Sequence, residues 1–316
     1  VQRSADDVWR NTQSEQFDVY QTLKQQYDVQ LTGEVVNIEV DGARGRVQVQ
    51  EIIDGIPYVQ TWFYWRYGED GWRHVPPDYT FWGDEALYEG TNVTIGYRGV
   101  DAHLAQSMGR TLDSWLTLAC EALGCAQIPP LSVSIEVDET LTLRWSEQNA
   151  WQIRLPSPYM DRAREDMPFS PGLRNEVAAL LAERLVAETL NGMQVNFAAD
   201  AAFLRQSATS WLVGQFVQLN PETFLLTSLV DQYGSVVVGT LLRNLQPDSS
   251  IAVLSSVTGV PSLDQLQVDW RDFLTWRLVT ENRLIQAGSY DAYLRLYDTS
   301  VADMTITATE RYNANT

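Results

Sequence analysis

The tightest constraint on this chain is a run between residues 30 and 83 whose pattern is cut at regular turn signals. β-Branched and apolar residues partly alternate over Glu34-Val-Val-Asn-Ile-Glu-Val40, and Asp41-Gly42 then offers a hairpin turn. Arg46–Ile53 follows, with Val47, Val49 and Ile52 or Ile53 as its apolar positions, and Asp54-Gly55 turns the chain again. Tyr58–Tyr67 reads as a third, aromatic strand, and Gly68–Gly71 turns it into Trp72-Arg-His-Val75. Pro76-Pro77 stops the sheet. Such a run specifies an antiparallel meander of about four strands with one aromatic-rich face.

The flanking pattern is different. Before the meander, Trp9, Gln13, Phe17, Tyr20 and Leu23 fall near helical spacing and predict a helix over 5–26. After it, 93–97 reads as a short strand and 102–123 as a helix carrying Leu104, Met108, Leu112, Trp115, Leu116 and Leu118. Pro129-Pro130 breaks the chain, 131–137, 141–145 and 151–155 read as strands, and 156–171 reads as a proline-punctuated loop. From Leu173 onward the period is helical, in segments near 173–191, 198–219, 221–231, 233–244, 262–287 and 289–297. The fold class is therefore α+β, and no repeat of 20–50 residues is evident.

Charge narrows the partners. The chain carries a net −19 with a pI near 4.4. Nucleic acid and anionic membrane surfaces would be repelled, so neither is an expected partner. No apolar run approaches the ~18 residues of a membrane span. Lys24 is the sole lysine among the 22 basic residues. The opening Val1-Gln2-Arg3-Ser4-Ala5-Asp6-Asp7 is polar and lacks a signal-peptide core, so an export signal is expected to have been removed or to lie outside this sequence. The 11 tryptophans and 14 tyrosines serve core packing, or a surface for sugars or proteins.

Cys120 and Cys125 lie five residues apart and cannot face each other on one straight helix. Gly124 is a good helix terminator; a helix ending there would let Cys125 turn back towards Cys120. Two readings stay open: a clasp at a helix C-terminus, which implies an oxidising compartment, and two buried free thiols. Asn92-Val93-Thr94 fits a glycosylation sequon. His74 and His103 sit in different regions, and no Ser-His-Asp order, P-loop or GxGxxG is present.

The helix Arg174-Asn-Glu-Val-Ala-Ala-Leu-Leu-Ala-Glu-Arg-Leu185, with Trp211-Leu212 on a following helix and Ser262-Leu-Asp-Gln-Leu and Asp269-Trp-Arg-Asp-Phe-Leu later, carries a resemblance. In order and spacing of helices, residues 93–278 resemble gluzincin metallopeptidases of the peptidase-MA-like type. In that family two histidines one turn apart bind zinc beside a glutamate base, and a third ligand comes from a Trp-Leu-x-Glu-Gly pattern. The resemblance places Asn175 and Ala179 at the histidine positions, Glu176 at the base and Gly214 at the third ligand. Alanine and glycine offer no donor, and an asparagine amide is a poor zinc ligand. No metal or other cofactor is therefore expected, and Glu176 is vestigial. Glu176 and Glu183, about 10 Å apart by helical rise, are the carboxylate pair a rival hydrolase reading would use. The resemblance also implies that Trp211 and Leu212 are buried against the 173–190 helix.

The meander, through Thr61-Trp-Phe-Tyr-Trp-Arg-Tyr, Gly71-Trp-Arg-His-Val-Pro-Pro-Asp and Phe81-Trp82-Gly83, resembles the curved sheet of an NTF2-like domain. Such domains open with a helical pair, and here residues 270–297 read like that pair at the far end of the chain. The expected organisation is 1–90 NTF2-like, completed by 270–297; 91–269 a degenerate peptidase-MA-like domain; and 270–316 helices plus a tail strand at Met304–Thr309. The stripe Phe273, Trp276, Leu278, Leu284, Tyr293 and Leu296 needs a partner surface. Docking within one chain has the higher effective concentration, whereas docking on a neighbour gives head-to-tail assembly. The expected function is an extracellular or cell-surface pseudo-peptidase that binds a protein or itself. The rivals are a hydrolase and a small-molecule binder using Trp62, Tyr64 and Trp72.

Overall fold

The computed structural model describes residues 2–77, 81–138, 140–190, 196–218, 224–294, 296, 312 and 313. The protein is a mixed α+β chain. Helix α1 (Gln2–Gln26) precedes the meander β1 (Val29–Asp41), β2 (Arg44–Ile53), β3 (Ile56–Arg66) and β4 (Trp72–Val75). Strands β5 (Glu85–Glu89) and β6 (Val93–Arg98), helix α2 (Ala102–Leu123) and strands β7 (Leu131–Glu136), β8 (Arg144–Trp145), β9 (Gln152–Pro156) and β10 (Arg162–Arg164) follow. Helices α3 (Pro171–Thr189), α4 (Ala199–Val217), α5 (Phe224–Tyr233), α6 (Val236–Asn244), α7 (Val253–Thr258), α8 (Leu263–Gln286) and α9 (Tyr290–Leu294) complete the described elements.

The turn chemistry explains the meander. Asp54 and Gly55 both take positive φ, 49° and 77°, as in the hairpin turn whose twist matches its flanking strands. The first sheet is antiparallel in the order β1-β2-β3-β10, with β4 also on β3. The second sheet runs β5-β6-β7-β9-β8; β6, β7 and β9 are parallel neighbours and its two edge pairs are antiparallel. Parallel neighbours need crossovers, and α2 supplies the one between β6 and β7. Three strands depart from the sequence reading, and β5 falls where no strand was expected. β10 lies inside the expected loop 156–171, and the expected strand 141–145 is regular only at Arg144–Trp145.

The chain divides into two bodies, 1–114 with 129–174, and 115–128 with 175–316. This division differs from the expected 1–90, 91–269 and 270–316. Arg162–Arg164 pair with Tyr58–Gln60, so a strand from beyond residue 160 completes the first sheet. Phe63 of that sheet shares a core with Phe81, Trp82, Tyr159 and Ala163.

In the first body, β6, β7 and β9 bury Val93, Ile95, Leu131, Val133, Ile135, Ile153 and Leu155. Helix α2 buries Leu104, Ala105, Met108 and Leu112, and Gly109 leaves room for the Tyr88 ring. In the second body, Trp115 stacks on Phe216 with centroids 4.9 Å apart. Trp211 and Leu212 of α4 are buried. The end of α2 is closed in three ways. Gly124 takes φ +68°, Cys120 and Cys125 form a disulfide, and Arg243 Nη1 donates to the Leu123 carbonyl at 2.5 Å. The clasp reading of the cysteines is the one the structure has. At the far end, α8 stops at Gly288 (φ +64°), and buried Tyr293 lies 5.2 Å from Tyr312. Tyr297 and the expected tail strand Met304–Thr309 lie outside the described residues.

Candidate binding surface

Strand period two assigns the residues of the first sheet to two faces. In register, Arg46 opposes Phe63, Gln50 opposes Val59 and Ala163 opposes Val59, so these share one face. That face is closed: Val59, Phe63 and Ala163 are buried. Arg46 is buried there too. Its Nη1 donates to the Phe81 carbonyl at 2.7 Å, its Nη2 meets Glu39 at 2.5 Å, and its guanidinium lies over the Phe81 ring. The Arg46 bond holds the Glu39 carboxyl below its usual range.

The opposite face carries Val47, Val49 and Glu51 of β2, Tyr58, Gln60, Trp62 and Tyr64 of β3, His74 and Trp72 of β4, and Arg162 of β10. The three expected surface aromatics, Trp62, Tyr64 and Trp72, therefore do share a face. His74 sits between two of them, 4.8 Å from the Trp62 ring and 5.8 Å from Tyr64. Burial lowers the His74 pKa. Gly45 is needed below this cluster, because a Cβ there would stand 3.2 Å from the Trp72 ring. Trp62 and Tyr64 are half-buried, whereas Trp72 is 43% exposed.

One end of this face is closed by charge and by α1. Glu51, 2% exposed, accepts from Arg162 Nε at 2.6 Å. The Arg162 guanidinium lies over the Tyr20 ring of α1 at 5.2 Å. Burial, then the adjacent Glu51 carboxylate, raises the Tyr20 pKa. The β1 edge of this face is open. Register puts Leu31, Val35, Ile38 and Val40 of edge strand β1 on this same face, and all four are exposed. A register shift between Val35 and Asn37 inserts Val36, also exposed. That bulge interrupts the strand edge for ladder pairing but leaves the apolar face continuous.

The expected peptidase positions sit elsewhere. Asn175, Glu176, Ala179 and Glu183 are all exposed on α3, and their spacing puts them along one side of the helix. Gly214 is buried on α4. His103 is exposed in the first turn of α2. Among the described residues, no group of three or more His, Cys, Asp or Glu side chains is placed to hold a metal ion.

Asp101, which the sequence reading did not single out, is fully buried at the start of α2. It accepts from Ser157 Oγ at 2.6 Å, and burial pushes its pKa up to about 6. Only its position just before a helix could have marked it. With these sites laid out, comparison with known proteins finds no matching family model, curated protein or solved structure.

Proposed function

We propose that this chain is a non-catalytic, exported binding or assembly protein, built on an inactivated gluzincin-like helical body and an NTF2-like sheet. One observation carries the reading: among the described residues, the open face of the first sheet is apolar. The open face of the first sheet exposes Leu31, Val35, Ile38 and Val40 on one strand. An apolar patch of this kind marks an interaction site. The face of α3 where chemistry would be sought offers Asn175, Ala179 and two exposed carboxylates. Without a metal, nothing there lowers the pKa of an attacking water or stabilises an oxyanion. The Cys120–Cys125 disulfide supports an oxidising compartment. No single described helix is long and apolar enough to cross a membrane.

The test has two arms. Elemental analysis of protein purified without chelator should give less than about a tenth of an equivalent of zinc, against the full equivalent of a structured site. A broad hydrolase screen should give the same background rate for the wild type, Glu176→Gln and Glu183→Gln. Stoichiometric zinc, or turnover removed by either substitution, overturns the non-catalytic reading.

A further inference from the structure

Asn92 sits in the turn between β5 and β6, and that turn is built without its side chain. Gly90 N donates to the Val93 carbonyl at 2.8 Å. The Asp113 carboxylate, reaching across from α2, accepts from the backbone N–H of Thr91 at 3.0 Å and of Asn92 at 2.6 Å. Gly90 is fixed by the same carboxylate, because a Cβ there would stand 2.0 Å from Asp113 Oδ2. An asparagine in a turn ordinarily spends its side chain on its own backbone. Here Asp113 fills that role, and the Asn92 carboxamide makes no hydrogen bond among the described residues. Asn92 is half-buried, yet its amide is not among the polar groups shut from solvent without a partner.

Asn92-Val93-Thr94 is also the one Asn-x-Ser/Thr sequence in the chain. Leu131 N donates to the Asn92 carbonyl at 2.9 Å, so Asn92 continues the β6 ladder by one residue. Strand period then turns Asn92 and Thr94 to the same side. Thr94 is exposed, while Val93 and Ile95 to either side of it are buried. Thr94 opposes Ser132 of β7, and Ser132 opposes Gln152 of β9. The side that Asn92 and Thr94 share is therefore the polar face of the second sheet. A bulky hydrophilic group leaving from Asn92 would pass over hydroxyls and amides, not into a closed core. The edge strand β5 carries Leu87, 57% exposed, on the same face. Such a group beside β5 would also block that edge against a further strand.

We propose that Asn92 is an N-glycan acceptor. In the transfer, Nδ2 of its carboxamide attacks the anomeric carbon of an oligosaccharide held on a lipid diphosphate. The C–N bond forms as the bond from that carbon to the phosphate oxygen breaks. The diphosphate leaves with the bonding pair and Nδ2 gives up one proton, so nothing is oxidised or reduced. The Thr94 hydroxyl is the second group that the acceptor sequence requires. The Cys120–Cys125 disulfide supports the oxidising compartment in which such transfer occurs. This inference rests on the exported reading above but needs neither the zinc nor the hydrolase result.

The full chain behind a cleavable secretory signal, made in a cell that N-glycosylates its exports, tests it. The intact mass of the wild type should exceed that of the bare chain. Peptide N-glycosidase should return it to the bare mass, with an aspartate left at position 92. Asn92→Gln and Thr94→Ala should stay at the bare mass, whereas Thr94→Ser should keep the glycan. Glycosylated and stripped chains should both melt cooperatively, because Asp113 and Gly90 hold the turn. A wild type at the bare mass, secreted or retained, overturns the proposal. So does a glycan that persists in Asn92→Gln, or a glycosylated chain without a cooperative melt. Export is read separately, because the signal here is supplied. A chain found only inside its own cells sinks the exported reading, whatever the supplied signal shows of Asn92.

Discussion

Helices α3 and α8 are both long, and both carry apolar residues at helical spacing, yet they finish in opposite states. Helix α3 hides Val177, Ala178, Leu181, Ala182, Leu185 and Val186 and turns Asn175, Glu176, Ala179 and Glu183 outward. Helix α8 hides Leu266 alone and turns Trp276, Leu278 and Val279 outward. A helix whose apolar side is covered and whose outer side is small and polar has completed its work inside the fold. A helix that exposes a tryptophan has surface left to bury. The helix that resembles a catalytic one is thus the closed element, and the one without a motif is the open element. The first sheet repeats the lesson: one face closes over Phe63 and Phe81, the other leaves β1 exposed.

The comparison predicts a large split between two tryptophans. Trp211, 2% exposed beside α4's other core residues, should cost about 3–5 kcal/mol when cut to alanine. Trp276→Ala should change the stability of the single chain by no more than about 0.5 kcal/mol, as surface substitutions do. Chemical denaturation at a concentration low enough to hold single chains checks both. Equal losses would erase the distinction between closed and open helices.

Two titratable groups, Asp101 and His74, sharpen the contrast within the first body through opposite pH signs. Asp101 has a folded pKa raised from 3.8 to about 6 by burial. Its contribution is fully present below the unfolded pKa and is lost as pH rises through about 6, a span worth on the order of 2–3 kcal/mol. Asp101→Asn should therefore be more stable than wild type at pH 7.5, with the gap closing towards pH 4. His74, on the open face, has its pKa lowered by burial. Its contribution is present above the unfolded value near 6.5 and is lost as pH falls through the folded one. His74→Gln should soften the acid loss of stability that Asp101→Asn exposes. Melting curves across pH 4–8 read both slopes, and a common sign for the two variants would contradict the placement of one of them.

A smaller effect tests the resemblance of α3. Asn175→His with Ala179→His places an exposed pair one turn apart, which should bind zinc weakly on any helix. Adding Gly214→Glu should tighten that binding only if α4 brings position 214 to the pair. At 100 times the dissociation constant, zinc should then stabilise the triple variant by about 2.7 kcal/mol. If the third substitution adds nothing beyond its cost in a buried position, the alignment of α3 and α4 with the peptidase pattern loses its support.

Local chemistry was legible wherever a few adjacent residues decide the geometry. Asp54-Gly55 announced its turn, Gly124 announced the end of α2, and the spacing of Trp62 and Tyr64 put both on one side of β3. Strand β10 was hidden because three residues, Arg162-Ala-Arg164, carry no period of their own; their pairing is set by Tyr58–Gln60, a hundred positions earlier. Asp101 was hidden because its burial depends on Ser157 and the loop through Trp82, not on its neighbours in sequence. The exposure of β1 and of α8 was hidden for a deeper reason. An apolar stripe reads the same in sequence whether its partner lies in the same chain or in another.

The most direct test of the account is a native mass spectrum of the full-length protein purified without chelator. It weighs bound metal and copy number at once. The account predicts masses at multiples of the bare chain, or of the chain with a bound partner, free of any zinc increment. A single-chain species carrying one equivalent of zinc would contradict it.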